Sequence, residues 1–289
     1  MSSDRWRDLS GALAGVCNAF SQDQETHSGF LPRSPAAAEV ANEPYADTWG
    51  STPARNANMA GLYLAIVALD QLACLAVLLR SETGHGYGLS AMARSAMEVA
   101  ARGHYLLDPD VESLERIRRQ QNERLVALSE QKRLATTAKS VDANALDARI
   151  KEILGSAHRK GLDPRPKAKP PMIAPGPPSA TDLINDAVGQ GNGLGAIYYQ
   201  TMSAVAHGRE HGITQNFTRQ GALLDRTHGD VFGSFGTTPK QAAQSLCGTP
   251  LAVFNMLDRL YSRFGWPTNH IQAPAQQMLT VWKAIAAMA

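Results

Sequence analysis

Cysteine and aromatic residues are scarce in this sequence, and their scarcity excludes several classes of protein. Only three of the 289 residues are cysteine, and 6% are aromatic. Cys17, Cys74 and Cys247 are far apart, odd in number and in no C-x-x-C arrangement. This argues against a disulfide framework and against a cysteine-based zinc site. Because unpaired thiols are typical of a reducing compartment, we expect a cytoplasmic protein.

Signals for export or membrane insertion are also weak. The first twenty residues contain Asp4 and Asp8 and lack a basic region followed by a clean apolar stretch, so we predict no signal peptide. Residues 59–79 are almost wholly apolar, but Asp70 and Gln71 stand at their midpoint. Because an ionisable group at the centre of a bilayer is costly, we predict the central helix of a bundle and no membrane span.

Net charge is close to zero, but the charges are segregated along the chain. The formal net charge is +2, yet residues Arg116 to Lys169 contain fourteen Lys and Arg against six Asp and Glu. Such a region is a candidate surface for nucleic acid. The alternative is a solvated helix followed by a basic loop. No aromatic residue is interleaved among these cations, which argues against base stacking as the mode of binding.

Hydrophobic periodicity predicts an all-α fold, a bundle of about seven or eight helices. Apolar residues recur at helical spacing from about residue 4 to 21 and from Leu89 to Leu107, and residues 59–79 are apolar nearly all round. Asp108 and Pro109 then predict the cap and first residue of a long helix ending near Thr137. Residues 22–56 are predicted to be an irregular crossing, and Thr238 with Pro239 to begin a helix that reaches Phe264.

One insertion and one turn-rich stretch interrupt the helical pattern. Residues 157–179 contain seven prolines and several basic residues, and we predict a proline-rich basic loop or linker there. The segment "DRTHGDVFG" is compatible with one short hairpin. No internal repeat is evident, so residues 1–289 are predicted to form a single helical domain.

Two pairs of polar residues recur at one-turn spacing and are candidate site residues. Arg94 and Glu98 are four residues apart and flank the apolar face of one helix, so both side chains can point into a cleft between helices. An intrahelical ion pair is the simpler interpretation of that spacing. Ser203 and His207 share a face of a later helix, although no third orienting group can be named for them.

The stretch "HGREH" places His207, Glu210 and His211 in the H-x-x-E-H spacing of inverted zinc proteases. Such a site needs an unbroken helix that projects all three side chains together. Gly208 lies inside the motif and Gly212 follows it, so we predict that the helix ends there. A metal site formed by His207, Glu210 and His211 remains one alternative, and we predict no other cofactor.

Two segments resemble a broad group of uncharacterised bacterial helical proteins. "ARSAMEVAARGHYLLDPDVESLERIRR" resembles that group's Arg-x-x-x-Glu helix, Leu-Leu-Asp-Pro break and Glu-Arg-x-x-Arg helix. "YYQTMSAVAHG" resembles its later helix with Tyr and Ser-x-x-x-His-Gly. These proteins are similar to HEPN-like bundles, several of which are ribonucleases in defence or toxin systems. The resemblance implies a nucleic-acid role, with Arg94, Glu98, Ser203 and His207 as a shared constellation.

The sequence departs from HEPN ribonucleases in their Arg-x4–6-His motif. Arg80 to His85 runs into a glycine-rich break, and Arg263 to His270 is interrupted by Gly265 and Pro267. Neither stretch is therefore predicted to hold a rigid helical geometry. This departure argues against metal-independent ribonuclease chemistry on a related scaffold.

Three interpretations of function remain open at this point. The first is a HEPN-like bundle that binds or processes RNA, with the Arg116 to Lys169 region supplying charge and homodimerisation as an implied property. The second is a metal-dependent or small-molecule enzyme that uses Glu98, His207, Glu210 and His211, with Asp70 as a further candidate. The third is a non-catalytic scaffold in which Arg94, Glu98, Ser203 and His207 tie buried helices together through hydrogen bonds.

Overall fold

The structure is a computed structural model that describes residues 2–43, 45–81, 86–140, 142–189, 193–209, 223–225, 230–232 and 237–288. These residues form twelve helices and two short antiparallel hairpins. The all-α multi-helix fold is therefore confirmed, with more helices than the sequence predicted. The hairpin expected near residues 225–233 is also present.

The described elements occur in the following order along the chain. They are α1 (Ser2–Thr26), α2 (Pro35–Asn42), α3 (Ala46–Trp49), α4 (Pro53–Arg80), α5 (Gly86–Leu106), α6 (Ser113–Thr137), α7 (Asp142–Arg159), β1 (Asp163–Arg165), β2 (Met172–Ala174), α8 (Ala180–Gly189), α9 (Leu194–Ala206), β3 (Leu223–Asp225), β4 (Asp230–Phe232), α10 (Pro239–Leu246), α11 (Gly248–Phe264) and α12 (Asn269–Ala286).

The long apolar helix α4 lies at the centre of the larger core. It packs against α1 and α5, and Leu62, Leu69 and Leu72 are almost fully buried between them. Length and composition alone would allow α4 to cross a membrane. Asp70, at the midpoint of the apolar run, is exposed on the surface of the bundle. This packing is the arrangement expected of a central bundle helix.

A second, smaller core lies between α6 and α7. Ile117 and Leu125 of α6 pack with Ile153 of α7, and Trp49 of α3 and Ile173 of β2 close the cluster from two sides. Helix α6 is mostly polar, and besides this apolar stripe it buries the side chains of Arg116 and Arg118. Most of the predicted basic region belongs to this part of the molecule.

The proline-rich segment differs from the predicted unpacked linker. Strands β1 and β2 pair with Asp163 opposite Ala174, and Ile173 is fully buried. The Asn122 side chain donates to the Ile173 carbonyl and accepts from the Ile173 N–H, at 3.0 and 2.8 Å. These two hydrogen bonds are of the kind that a neighbouring strand would make with Ile173. They fix the hairpin onto α6.

Several predicted helix boundaries move for local reasons. Asp108 accepts from the Asp110 N–H in a turn, and α6 starts later, at Ser113. The segment predicted as one helix from Thr238 to Phe264 divides at Cys247, and Pro250 then occupies the first turn of α11, where its missing N–H is tolerated. The crossing between α1 and α4 contains α2, which Ser34 caps and Pro35 begins.

Gly195 allows α8 and α9 to approach closely, and substituting it is expected to destabilise the fold. A Cβ atom there would lie 2.6 Å from Asn185 Cα and 2.6 Å from the Ile184 carbonyl oxygen, both backbone atoms. We expect Gly195→Ala to lower the free energy of unfolding by about 1–3 kcal/mol, because backbone cannot rotate away as a side chain can.

The matched control is Gly11→Ala, in the interior of α1 with no atom within 4 Å of the added carbon. Because alanine favours a helix over glycine, this variant should gain about 0.5–1 kcal/mol. Urea denaturation measures both changes. Equal stabilisation by the two variants would contradict the close approach at Gly195.

Candidate functional site

The structure joins Arg94 and Glu98 of α5 to a residue of α9 that the sequence did not single out. The Arg94 Nη2 atom lies 2.7 Å from Glu98 Oε1 and donates to the Tyr199 hydroxyl at 3.1 Å. The guanidinium carbon also lies 5.1 Å from the centre of the Tyr199 ring. The helical spacing of Arg94 and Glu98 thus gives an ion pair, and Tyr199 covers it.

Arg94 is held as a permanent cation at this position. Burial by itself lowers the pKa of Arg94, but the Tyr199 hydroxyl and the Glu98 carboxylate outweigh that effect and raise the pKa above its ordinary value. Arg94 therefore cannot accept a proton near neutral pH. It can stabilise negative charge or orient Tyr199.

Ser203 lies one helical turn beyond Tyr199 and lines a small cavity with it. This cavity has a volume of about 240 Å³ and is also lined by Gln200, Ala204 and Arg209. Tyr199 connects the Arg94–Glu98 pair to the cavity. Arg209 adds a second cation, although nothing about its place in the sequence indicated this role. The structure thus brings three of the four predicted site residues to one region.

His207 is less integrated into that region. It is the exposed C-terminal cap of α9, and its backbone N–H donates to the Ser203 carbonyl at 3.0 Å. Gly208 follows in the left-handed conformation with φ of 62°, which ends the helix as predicted. Glu210 and His211 lie outside the described residues. Among the residues that are described, no group of three His, Cys, Asp or Glu could hold a metal ion.

The Leu-Leu-Asp-Pro segment between α5 and α6, together with Arg116, has a structural role. Arg116 is fully buried and donates to the carbonyls of Leu106, Asp108 and Val111 at 2.6, 2.8 and 3.0 Å. The bond to Leu106 satisfies a carbonyl oxygen that the end of α5 leaves without an intrahelical partner, and the other two bind carbonyls of the connection to α6. The Leu-Leu-Asp-Pro break and the arginine that follows it therefore close one helix end.

Two neighbouring arginines are also engaged within the fold. Arg118 donates to Glu115 and to the Ile173 carbonyl, and Arg119 bonds the Tyr105 carbonyl at 2.6 Å while lying over the Tyr105 ring. Both side chains are largely buried. The first three cations of the Arg116 to Lys169 region are therefore not available to an external polyanion, and the remaining eleven must supply any such surface.

The surface cations of this region border a groove formed by α6, α7 and the β1–β2 hairpin. The groove has a volume of about 510 Å³. We call it the basic groove, and its lining residues are Ser129, Lys132, Arg133, Thr136, Thr137, Asp147, Ile150, Lys151, Leu154, Pro166 and Pro171. Lys167 and Lys169 lie in the hairpin turn between the two lining prolines and are exposed.

Positive charge exceeds negative charge in the basic groove. Asp147 is the only carboxylate among its lining residues, all of which the structure describes. Hydrogen bonds from Lys132 and Lys151 lower the pKa of Asp147 to about 2, so it is ionised at neutral pH. One carboxylate thus faces two lysines, while Arg133 pairs with Glu130 outside the lining.

Comparison of the chain with protein-family models, curated proteins and solved structures finds no match in any of the three. The resemblance to HEPN-like bundles therefore rests on the sequence motifs alone. Function has to be argued from the residues and their geometry.

Proposed function

We propose that this protein binds nucleic acid, with RNA as the first candidate, through the basic groove. The observation that carries the proposal is the charge of that groove: three lining cations and two exposed hairpin lysines exceed the two carboxylates that pair with them, Asp147 and Glu130. Phosphate groups are the recurring anions of a nucleic acid, and their neutralisation by Lys and Arg provides most sequence-independent affinity.

The floor of the basic groove is consistent with contacts to the sugar-phosphate backbone. Ile150, Leu154, Pro166 and Pro171 offer an apolar surface, and no aromatic side chain is among the lining residues. Binding would therefore depend on charge more than on base stacking. We accordingly expect weak dependence on base sequence and strong dependence on salt.

The test measures binding of a fluorescein-labelled single-stranded RNA to the full chain by fluorescence anisotropy. We expect the affinity to fall roughly tenfold to a hundredfold between 50 and 200 mM salt. The variant Arg133→Gln/Lys167→Gln/Lys169→Gln should bind more weakly, and its slope of log affinity against log salt should be shallower by about two.

The matched control removes three exposed cations elsewhere, in Arg7→Gln/Arg80→Gln/Lys283→Gln on α1, α4 and α12. Both variants change the net charge equally. If the control weakens binding as much as the groove variant, net charge and not the basic groove is responsible. Absence of salt-dependent binding by the unmodified protein would overturn the proposal.

A further inference from the structure

A second cavity lies on the other side of the smaller core, where α3 and the start of α4 meet α6 and α7. Its volume is about 340 Å³, which is within the range of small-molecule sites. Polar groups predominate in its lining, and it shares no lining residue with the basic groove. We call it the Arg124–Arg149 cavity after the two cations that border it.

Arg124 and Arg149 differ from the arginines of α6 that are described above. Arg116, Arg118, Arg119 and Arg133 each contact at least one carboxylate or a set of backbone carbonyls. Within the part of the chain that the structure describes, Arg124 and Arg149 have no ion pair and no hydrogen bond.

Arg124 comes from α6 and Arg149 from α7, so the packing of the two helices brings both cations to the border of one cavity. Guanidinium groups remain charged at any physiological pH, and each can donate two parallel hydrogen bonds to an oxyanion. A pair of them without protein partners is suited to an anion with several oxygens.

Two buried side chains of the lining also have unused hydrogen-bonding atoms. Gln121 is 2% exposed and Trp49 8%, and among the described residues the Gln121 Oε1 atom has no donor and the Trp49 indole N–H has no acceptor. Buried polar groups are nearly always hydrogen-bonded in folded proteins. Both atoms belong to side chains that line the Arg124–Arg149 cavity, which is where a bound molecule would supply the partners.

The lining offers acceptors as well as donors. Gln121 Oε1 and the Glu152 carboxylate can accept from hydroxyl groups, whereas the two guanidiniums and the Trp49 N–H can only donate. A ligand complementary to this set carries an anionic end and a hydroxyl-bearing end. Inorganic anions lack the hydroxyl-bearing end, and neutral sugars lack the anionic end.

We propose that the Arg124–Arg149 cavity binds a small phosphomonoester that carries hydroxyl groups, such as a sugar phosphate. Arg124 and Arg149 bind the phosphate oxygens, and Gln121 and Glu152 accept from the hydroxyls. A phosphomonoester carries close to two negative charges at neutral pH, which balances the two arginines better than a carboxylate does. This inference is independent of RNA binding in the basic groove.

The test is isothermal titration of the full chain with ribose 5-phosphate, with ribose and inorganic phosphate as the two half-ligands. We expect ribose 5-phosphate to bind at least tenfold more tightly than either half. Arg124→Gln and Arg149→Gln should each weaken that binding at least tenfold, whereas Arg133→Gln, also on α6 but outside the cavity, should leave it unchanged.

Two further measurements keep the outcome clear. Thermal unfolding checks that each variant is folded, and Arg149 is exposed, so its replacement does not open the core. Fluorescence of Trp49 should respond to ribose 5-phosphate, and Trp49→Phe should remove the response while the protein stays folded.

A 5′-phosphorylated RNA is the other source of a phosphomonoester. Enhanced RNA binding that requires Arg149 would assign the cavity to RNA ends and overturn the small-molecule proposal.

Lack of ribose 5-phosphate binding, or binding that neither arginine variant weakens, would also overturn it. Failure of the RNA experiment leaves these titrations unaffected, because the groove variants and the cavity variants change different residues. The two proposals can therefore fail separately.

Discussion

The variant Glu39→Gln is expected to lower the free energy of unfolding by about 3–5 kcal/mol, because it removes the one anion between two buried cations. Glu39 of α2 is itself buried and contacts Arg116 of α6 at 3.4 Å and Arg263 of α11. Burial lowers the pKa of both arginines to about 10, so both remain protonated at neutral pH. Without Glu39 their charges would be uncompensated in the interior.

The location of this cluster explains why the effect should be large. Arg116 belongs to the helix that forms the smaller core, and Arg263 to a helix of the larger one. Asn58 of α4 completes the arrangement, donating to Glu39 at 2.8 Å and accepting from Arg263 at 2.9 Å. Glu39 therefore joins four helices, and its loss should weaken the contact between the two cores.

Urea denaturation at neutral pH measures the change, and Glu130→Gln is the control. Glu130 pairs with Arg133 on the surface of α6, where an ion pair contributes about 0–1 kcal/mol. A loss below about 1 kcal/mol for Glu39→Gln would show that water or a shifted side chain compensates for the missing carboxylate.

Hydrophobic periodicity was sufficient to predict the long helices. In α1, α4 and α5 the apolar residues recur over five or more turns, so the pattern is strong enough to fix both type and approximate extent. Helices α2 and α3 have eight and four residues, too few to show a period, and their order depends on tertiary contacts. Glu39, which lies on α2, could not be predicted as a central residue for that reason.

The proline-rich hairpin shows a different limit. Seven prolines in residues 157–179 indicate a segment without helix, and the structure agrees from residue 160 onward, because α7 ends at Arg159. Its attachment depends on Asn122, which lies 51 positions before Ile173 in the chain. No local pattern identifies that amide as the partner of a strand edge, so a packed hairpin could not be distinguished from a linker.

The candidate site was predictable only within single helices. One-turn spacing correctly placed Arg94 beside Glu98, but Tyr199 is 105 positions away from Arg94. Tyr199 and Ser203 are also one turn apart, a signal that could have marked Tyr199. The Arg124–Arg149 cavity has no comparable signal, because four separate elements contribute to its lining.

Charge counting was similarly incomplete. Fourteen cations between Arg116 and Lys169 predicted an open basic surface, yet Arg116 is 0% exposed and Arg118 3%. Both flank Ile117, a core residue, and their stems follow it into the interior. Sequence composition alone does not separate an arginine that caps backbone carbonyls from one that faces solvent.

Acidification is expected to destabilise the protein through His104, which is buried near the end of α5. Burial, and secondarily the positive charge of Arg259, lower the pKa of His104 from 6.5 to about 4. In the unfolded chain the imidazole regains its ordinary pKa. Between pH 6.5 and pH 4 the unfolded state therefore binds more protons than the folded state, and stability falls as the pH falls.

The stabilising effect of neutral His104 is complete above pH 6.5 and is lost progressively down to about pH 4, below which both states are protonated. A shift of this size corresponds to about 3 kcal/mol, at 1.36 kcal/mol for each pKa unit. Asp186 Oδ2 lies 3.4 Å from His104 Nδ1 but is mostly exposed, so it offsets little of the burial.

The measurement is urea denaturation of the unmodified protein and of His104→Gln at a series of pH values from 7 to 4. Carboxylates contribute to the pH dependence of both proteins, so the difference between the two curves isolates the imidazole. We expect the unmodified protein to lose about 3 kcal/mol more than His104→Gln over this range. His158→Gln, at an exposed position of α7, should retain the full pH dependence. Parallel curves for the unmodified protein and His104→Gln would mean that His104 accepts a proton in the folded state, most simply by turning toward Asp186.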